Sequence, residues 1–466
     1  MEKNSNVAEK KLLPPLILGG IFQALPLLSP GSPFLITVSS LLWPFLFLNA
    51  SRRAATKRQF WLVMAVLAFS KFLRNMLLYG ASPLYMLGIF MLSAFIALCE
   101  SLAFGLDRLA TRRDTPLASL VFPILFTGSN CLIAALSIGN LTDPGAALAH
   151  LHVFAQSASL ILEHGLCFIL AWVSSMLNLA LNGEGRRKIV CISVSVLLIV
   201  IMVCFGLTTL AGRKDPSSTI RVAFCTSYEE SFDSVSSEKS EEDFIVLVDD
   251  QLTQAVENGA ELVIFVEEHT CLSAETLFSS IDTISGIVKK HGVPVLLPIE
   301  VTMHDGGKNI NEAILFDENG VPVLTYVKNN LVPLIESRNY ESGPEQVGQA
   351  VIRIGNQSYK VAVVICFDSS DAAFVNKMDP DTEILLCPAW EWSTCNEEQM
   401  RTIILRAVEN GVTLVKATQD GYHAVADPYG NVVFSEYTVG RYEIVSVADV
   451  PVYRKQKERP RHCSRP

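Results

Sequence analysis

The chain has 466 residues, half of them hydrophobic and 18% charged, and a formal net charge of −10. That length accommodates two or three domains, and the acidic balance argues against nucleic acid as a partner. The averages hide a division. Long apolar runs dominate to about Leu210, and from about Ser217 the chain carries the charges, turn residues and short apolar runs of a water-facing domain.

A membrane-spanning helix needs about 20 mostly apolar residues. In chain order the candidate spans are 12–29, 33–50, 59–80, 83–106, 117–138, 149–182 and 189–210. The sixth is too long for one straight crossing, so a bend or an interfacial stretch is expected within it. Lys3, Lys10 and Lys11 precede the first span, and Arg52, Arg53, Lys57 and Arg58 separate the second from the third. Arg108, Arg112 and Arg113 separate the fourth from the fifth, and Arg186, Arg187 and Lys188 the sixth from the seventh. The alternate connections, around Gly31, Ser82 and 139–147, carry neither Lys nor Arg. Because basic segments stay on the cytoplasmic side, this alternation predicts an α-helical multi-pass transmembrane bundle of about seven helices over 1–212. Its N-terminus is inside, and the following domain is on the non-cytoplasmic side of the cell or inner membrane. The first apolar run leads straight into others and lacks a small-residue exit, so a cleavable signal peptide is not expected. Lys71 and Arg74 fall within the third run. The ordinary reading is that the helix ends early and the pair reaches the surface; the alternative is a functional buried charge.

In the second half, 220–225 reads as a buried strand and 231–243 as an exposed Ser/Glu-rich loop. Ile245, Val248, Leu252 and Val256 keep helical spacing up to Gly259. Strand 261–266, helix 277–289 and strand 294–301 follow, and 313–316 and 322–326 flank a hairpin turn at 317–320. Strand 361–365 ends at Cys366, and 383–387 is another strand. Thr394 with Glu397 suggests a capping box for a helix to about Glu409, closed by Gly411 before strand 412–417. Strands alternating with helices predict a layered α/β domain over 218–450, with 451–466 as a basic tail. The cysteines show no paired metal-ligand spacing, so no metal or cofactor is expected.

Three residues fall at or just after strand ends, where chemistry is usually sited: Glu267, Lys328 and Cys366. A carboxylate, an ammonium and a thiol can divide the labour of acyl transfer. The first takes the thiol proton, the thiolate attacks a carbonyl, and the ammonium lowers the thiol pKa and steadies the oxyanion. Taken singly, each has an ordinary reading as a surface acid, a solvated lysine or an inert packed cysteine.

The segments around them carry a resemblance. Tyr326-Val-Lys-Asn-Asn-Leu-Val-Pro-Leu-Ile-Glu336 is similar to the Tyr-x-Lys-x-x-Leu-Val-Pro-x-x-Glu segment of bacterial apolipoprotein N-acyltransferases, within the nitrilase or carbon–nitrogen hydrolase superfamily. Asn311, Val364-Ile-Cys-Phe-Asp368, Leu405-Arg-Ala-Val-Glu-Asn-Gly411, Ala417-Thr-Gln-Asp-Gly421 and Asp427-Pro-Tyr-Gly430 also resemble that family, as does 156–178 in the membrane half. The resemblance implies an α-β-β-α sandwich behind the bundle and a Glu–Lys–Cys triad of Glu267, Lys328 and Cys366. Glu336, Asp368 and Trp390 would support the site or contact substrate. The family usually has Pro before its catalytic Glu; here Val266 precedes and Glu268 follows, so Glu268 is the alternative base. Trp390, with Trp392 as its alternative, is expected to form a gating or acyl-facing lid. The family commonly has a further transmembrane helix after the catalytic domain, which this sequence lacks. The implied reaction takes an acyl chain from a phospholipid onto Cys366 and passes it to the N-terminal amine of a lipoprotein or another amine. The rival reading is a membrane-tethered amidase in which water resolves the thioester; a non-enzymatic membrane scaffold is a third.

Overall fold

The structure is a computed structural model, and it describes residues 12–23, 32–78, 83–111, 118–135, 144–226, 241–303, 307–333 and 335–454. The N-terminal half is helical: α1 (Leu12–Gln23), α2 (Pro33–Arg53), α3 (Lys57–Leu78), α4 (Pro83–Ala110) and α5 (Ala118–Ala135). A 3-10 turn (Pro144–Leu148), a short α6 (His152–Ala155), α7 (Ala158–Asn182) and α8 (Gly185–Ala211) follow. Among the described residues, three helical stretches are long and apolar enough to cross a membrane: Leu87–Ala110, Ala158–Asn182 and Gly185–Ala211. The overlong sixth candidate is broken between α6 and α7, and again at Leu162, whose φ of 58° and ψ of 177° are not helical. At that kink a Cβ on Gly165 would lie 2.4 Å from the Cβ of Ile161, so a residue without one is required.

Lys71 and Arg74 do not mark an early helix end. Helix α3 runs past both to Leu78. Lys71 is buried against Glu100 of α4 at 2.8 Å and lies over the Trp43 ring. The Arg74 guanidinium reaches Glu398, far along the chain, at 3.6 Å.

The second half builds two sheets. The first contains β1 (Ser218–Cys225), β2 (Leu262–Phe265), β3 (Cys271–Ser273), β4 (Val295–Thr302), β5 (Ile310–Phe316) and β6 (Pro322–Val327). The second contains β7 (Gly348–Ile354), β8 (Gln357–Val363), β9 (Ile384–Trp390), β10 (Thr413–Gln419), β11 (Tyr422–Ala426) and β12 (Val432–Tyr437). The last strand, β13 (Val445–Val452), returns to the first sheet. The orders are β13-β1-β2-β4-β5-β6, with β3 beside β4, and β12-β11-β10-β9-β8-β7. Strands β1, β2 and β4 are mutually parallel, as are β8, β9 and β10.

The period-two alternation of strand side chains sorts the core into layers. Val222 and Phe224 face inward with Val363, Ile365 and Val415 of the other sheet. Ala223 and Cys225 face outward onto α9 (Glu241–Glu257) and α10 (Ala274–His291) through Val248, Leu252 and Ile284. On the opposite face, Leu385 and Leu414 pack against α12 (Ala372–Val375) and α13 (Asn396–Asn410) through Phe374, Ile403 and Ala407. The short α11 (Glu336–Asn339) lies between β6 and β7. The result is the α-β-β-α sandwich.

Several details differ from expectation. The residue capping α13 is Cys395 rather than Thr394, without a side-chain cap bond, and a 3-10 turn over Ser393–Cys395 leads in. Strand β9 continues through Trp390 rather than stopping at Cys387. Strand β13 runs through Val452, and Arg454 pairs with Glu383 at 3.1 Å, so ordered structure extends past the expected start of the tail at 451.

The two halves meet through buried charges. The Arg406 guanidinium of α13 binds Glu163, just after the α7 kink, at 2.5 Å and Glu409 at 2.9 Å. The Glu163 N–H donates to Glu409 Oε1 at 2.6 Å, and Gln156 Nε2 donates to the Tyr429 carbonyl at 2.9 Å. Arg406→Met strands two buried carboxylates without their cation, a loss worth about 3–5 kcal/mol. Thermal unfolding of the detergent-purified chain should show a clearly lowered midpoint; an unchanged midpoint would contradict the role of this junction.

Candidate active site

The site lies at the carboxyl ends of the central parallel strands. Strand β2 is buried along its length, Leu-Val-Ile-Phe, and delivers Glu267 two residues beyond its end. Glu267 is 1% exposed. Its Oε1 accepts from Lys328 Nζ at 2.6 Å and Asn311 Nδ2 at 2.8 Å, and its Oε2 accepts from the Trp390 backbone N–H at 2.8 Å. Lys328 follows β6 directly, and its N–H continues the ladder to the Asn311 carbonyl at 2.9 Å. Its ammonium, 0% exposed, also donates to Glu336 Oε1 at 2.6 Å. Glu336 is the first residue of α11, and its Oε2 accepts the Val332 N–H at 2.7 Å. A buried ammonium is thus gripped by two buried carboxylates.

Cys366 does not end its strand. Strand β8 stops at Val363, and Cys366 opens a 3-10 turn over Cys366–Ser370 with φ of 44°. That left-handed conformation is unfavourable for a side-chain-bearing residue, and such strain clusters at functional sites. The thiol is 7% exposed, and its Sγ lies 3.6 Å from the Trp390 carbonyl. Asp368, in the same turn, accepts from Tyr326 Oη at 2.7 Å, the Asn330 N–H at 2.7 Å and the Ile365 N–H at 3.0 Å. It ties the Cys366 turn to the loop that carries Lys328.

Trp390 is in the site as a strand residue rather than on a loop. It is the last residue of β9, 7% exposed, with Nε1 donating to Asp420 at 3.1 Å. Its backbone holds both Glu267 and Cys366. Trp392 packs beside Val332 and Phe367. The adjacent glutamates differ in their partners. Glu267 takes the ammonium, whereas Glu268, at φ of 48°, accepts from Asn311 at 3.0 Å. Glu268 Oε2 is buried with no hydrogen-bond partner among the described residues.

Electrostatics follow from the burial. Burial alone would lower the Lys328 pKa, but the Glu267 and Glu336 carboxylates hold it well above the usual ammonium range. Burial and the Glu267 charge push the Cys366 thiol well up, with Lys328 and Lys416 pulling against them. Glu268 is raised well above the carboxylate range by burial and then by Glu267, Glu300 and Glu336, which favours its neutral form. Glu267, Glu268 and Glu336 offer oxygens within 4.8 Å of one another, a metal-like spacing, and the Lys328 ammonium bonds two of the three, Glu267 and Glu336. One buried pair escaped the sequence reading: Lys416 of β10 with Glu391, one residue beyond β9. A lone lysine inside the apolar strand Thr-Leu-Val-Lys-Ala-Thr-Gln was the available signal.

Burial, against the hydrogen bonds it receives, pushes the Asp368 carboxyl up to about 6, above about 3.9 in an unfolded chain. Its contribution to stability is therefore complete below about pH 4 and is lost as pH rises through about 6, on the order of 2–3 kcal/mol in all. Unfolding midpoints measured from pH 4 to 7 should fall more steeply in the wild type than in Asp368→Asn. Equal slopes would refute this environment for Asp368.

The profile of the family described as carbon-nitrogen hydrolase matches residues 234–454. A curated relative, apolipoprotein N-acyltransferase 2 of Treponema denticola, is 27% identical over 179 residues, covering 33% of this chain and 34% of that protein. The chain thus spans about a third of the length of that relative. Among solved structures, the NitN amidase of a Nesterenkonia species is similar at 20% identity and a TM-score of 0.43, covering 50% of this chain and 93% of its own. A second structure of an amidase from Nesterenkonia gives 20% identity, a TM-score of 0.43 and coverages of 51% and 92%. The α/β half thus carries the match to the carbon-nitrogen hydrolase family over residues 234–454, and part of the chain is similar to an apolipoprotein N-acyltransferase.

Proposed function

We propose that this chain is a multi-pass membrane acyltransferase that moves a fatty acyl chain from a phospholipid to an amine, the N-terminus of an apolipoprotein, through a thioester on Cys366. The observation that carries this reading is the Glu267–Lys328 pair, closed by the same Trp390 backbone that touches the Cys366 thiol. The name of the Treponema denticola relative supplies the lipid and lipoprotein substrates.

Glu267 takes the Cys366 proton, and the thiolate adds to the ester carbonyl of the lipid. Lys328, held by Glu336, offsets the charge developing on the carbonyl oxygen. When the ester C–O bond breaks, Glu267 returns the proton to the departing alkoxide, leaving a lysophospholipid and an acyl thioester. An amine then attacks the thioester, its proton passes to Glu267, and the C–S bond breaks. The sulfur recovers the proton and the amide leaves.

Two features favour the membrane arrangement. Arg52 at the end of α2 binds Asp107 near the end of α4 at 2.8 Å, and Arg108 Nη2 donates to the Ala54 carbonyl, so two basic connections share one end of the helical region. Arg74, toward the other end of α3, meets Glu398 of the α/β half. The basic end and the catalytic end are thus opposite, as a cytoplasmic N-terminus and a catalytic domain outside require.

Sealed vesicles of both orientations, loaded with labelled phospholipid and offered a diacylated peptide from outside, test the reaction and its side together. Lysophospholipid and acylated peptide should form in right-side-out vesicles and be lost in Cys366→Ala. Free fatty acid released regardless of peptide would mean hydrolysis, and activity confined to inside-out vesicles would reverse the orientation.

A further inference from the structure

A lysine in the middle of a buried strand is costly unless paired, and Lys416 is 2% exposed with core residues on both sides in sequence. Its partner is built for it. Parallel register sets Lys416 beside Cys387 and Gln419 beside Trp390. One step beyond β9, the Glu391 N–H donates to the Gln419 carbonyl at 2.9 Å, and the Glu391 carboxylate, 6% exposed, closes on the Lys416 ammonium. Gly421 leaves the room required: a Cβ there would lie 2.5 Å from Glu391 Oε2.

A buried ion pair of this kind seldom adds stability over an apolar pair of similar volume, so its position is the informative feature. Glu391 directly follows Trp390, whose carbonyl faces the Cys366 thiol and whose N–H holds Glu267. Ser369, in the nucleophile turn, donates its hydroxyl to the Cys366 carbonyl at 2.6 Å. Among the described residues, the charges that bear on the Cys366 thiol include Glu267 beyond β2, Lys328 beyond β6, Glu336 of α11 and Lys416 of β10. Asp368, on the Cys366 turn itself, is directed to Tyr326 and Asn330. Two carboxylates and one ammonium come from the first sheet's side, and Lys416 is a cation contributed from the second.

We infer that Lys416, fixed by Glu391, is a positioning residue of this site: a second buried positive charge behind the nucleophile turn that acts with Lys328 to favour the Cys366 thiolate. This rests on reading Cys366 as the nucleophile. No bond to substrate is assigned to it.

The test is the pH dependence of Cys366 alkylation by iodoacetamide in the purified full chain, read at the Cys366 peptide by mass spectrometry. The informative variant is the double substitution Lys416→Met with Glu391→Leu, which removes the pair without orphaning a charge; Lys416→Arg keeps the cation. The double variant should keep its unfolding midpoint, shift the alkylation profile to higher pH and alkylate about tenfold more slowly near neutrality. Lys416→Arg should stay close to wild type. A folded double variant with the wild-type profile would overturn the inference while leaving Cys366 as nucleophile. Failure of Cys366 to alkylate in the wild-type chain would instead overturn the nucleophile assignment, and this inference with it.

Discussion

The site depends on one buried ammonium. Lys328 has no exposure and two carboxylates at 2.6 Å. Taking an ammonium and two carboxylates out of water carries a desolvation cost of several kcal/mol per ion, and the surroundings offset it bond by bond. Asn311 and the Trp390 N–H satisfy Glu267, and the Val332 N–H satisfies Glu336. These donors come from three places, β5, the end of β9 and the loop between β6 and α11, so all three must be in place before the charges are tolerable. The same demand fixes the thiol, because the peptide group that caps Glu267 is the one whose carbonyl faces Cys366.

The helical half bears on this assembly through α13. Arg406, Glu409 and Glu398 lie on the helix that packs behind β10 and β11, and they engage Glu163 and Arg74 of the helical region. The break at Leu162 places the Glu163 N–H where Glu409 can accept it. The helical region and the α/β sandwich are thereby joined through buried charges, an arrangement compatible with the proposed delivery of a substrate from a bilayer.

Much of this was legible in the sequence, for physical reasons particular to each residue. The Tyr326–Glu336 segment is readable because it runs from a strand end to a helix start and contains both halves of one ion pair. Layering follows from period-two strands such as Ile220 to Cys225. Other features were hidden. Adjacent glutamates look alike until the backbone turns at Glu268. Pro388 suggests a loop, yet β8 pairs with β9 only as far as Leu386, and beyond that the strand has β10 on one side and tolerates a residue without an N–H. Trp390 therefore reads as a lid and folds as a strand end. The pairs Arg406–Glu163 and Arg74–Glu398 join residues hundreds of positions apart, beyond the reach of any local pattern.

The central claim is that Glu267, Lys328 and Cys366 act as one unit that takes an acyl group onto sulfur. Its most direct test is peptide mass spectrometry of the full chain after incubation with phospholipid and no acceptor. The account predicts an acyl adduct confined to Cys366 and formed orders of magnitude more slowly in Glu267→Gln. An adduct on another cysteine, or undiminished formation in that variant, would contradict it.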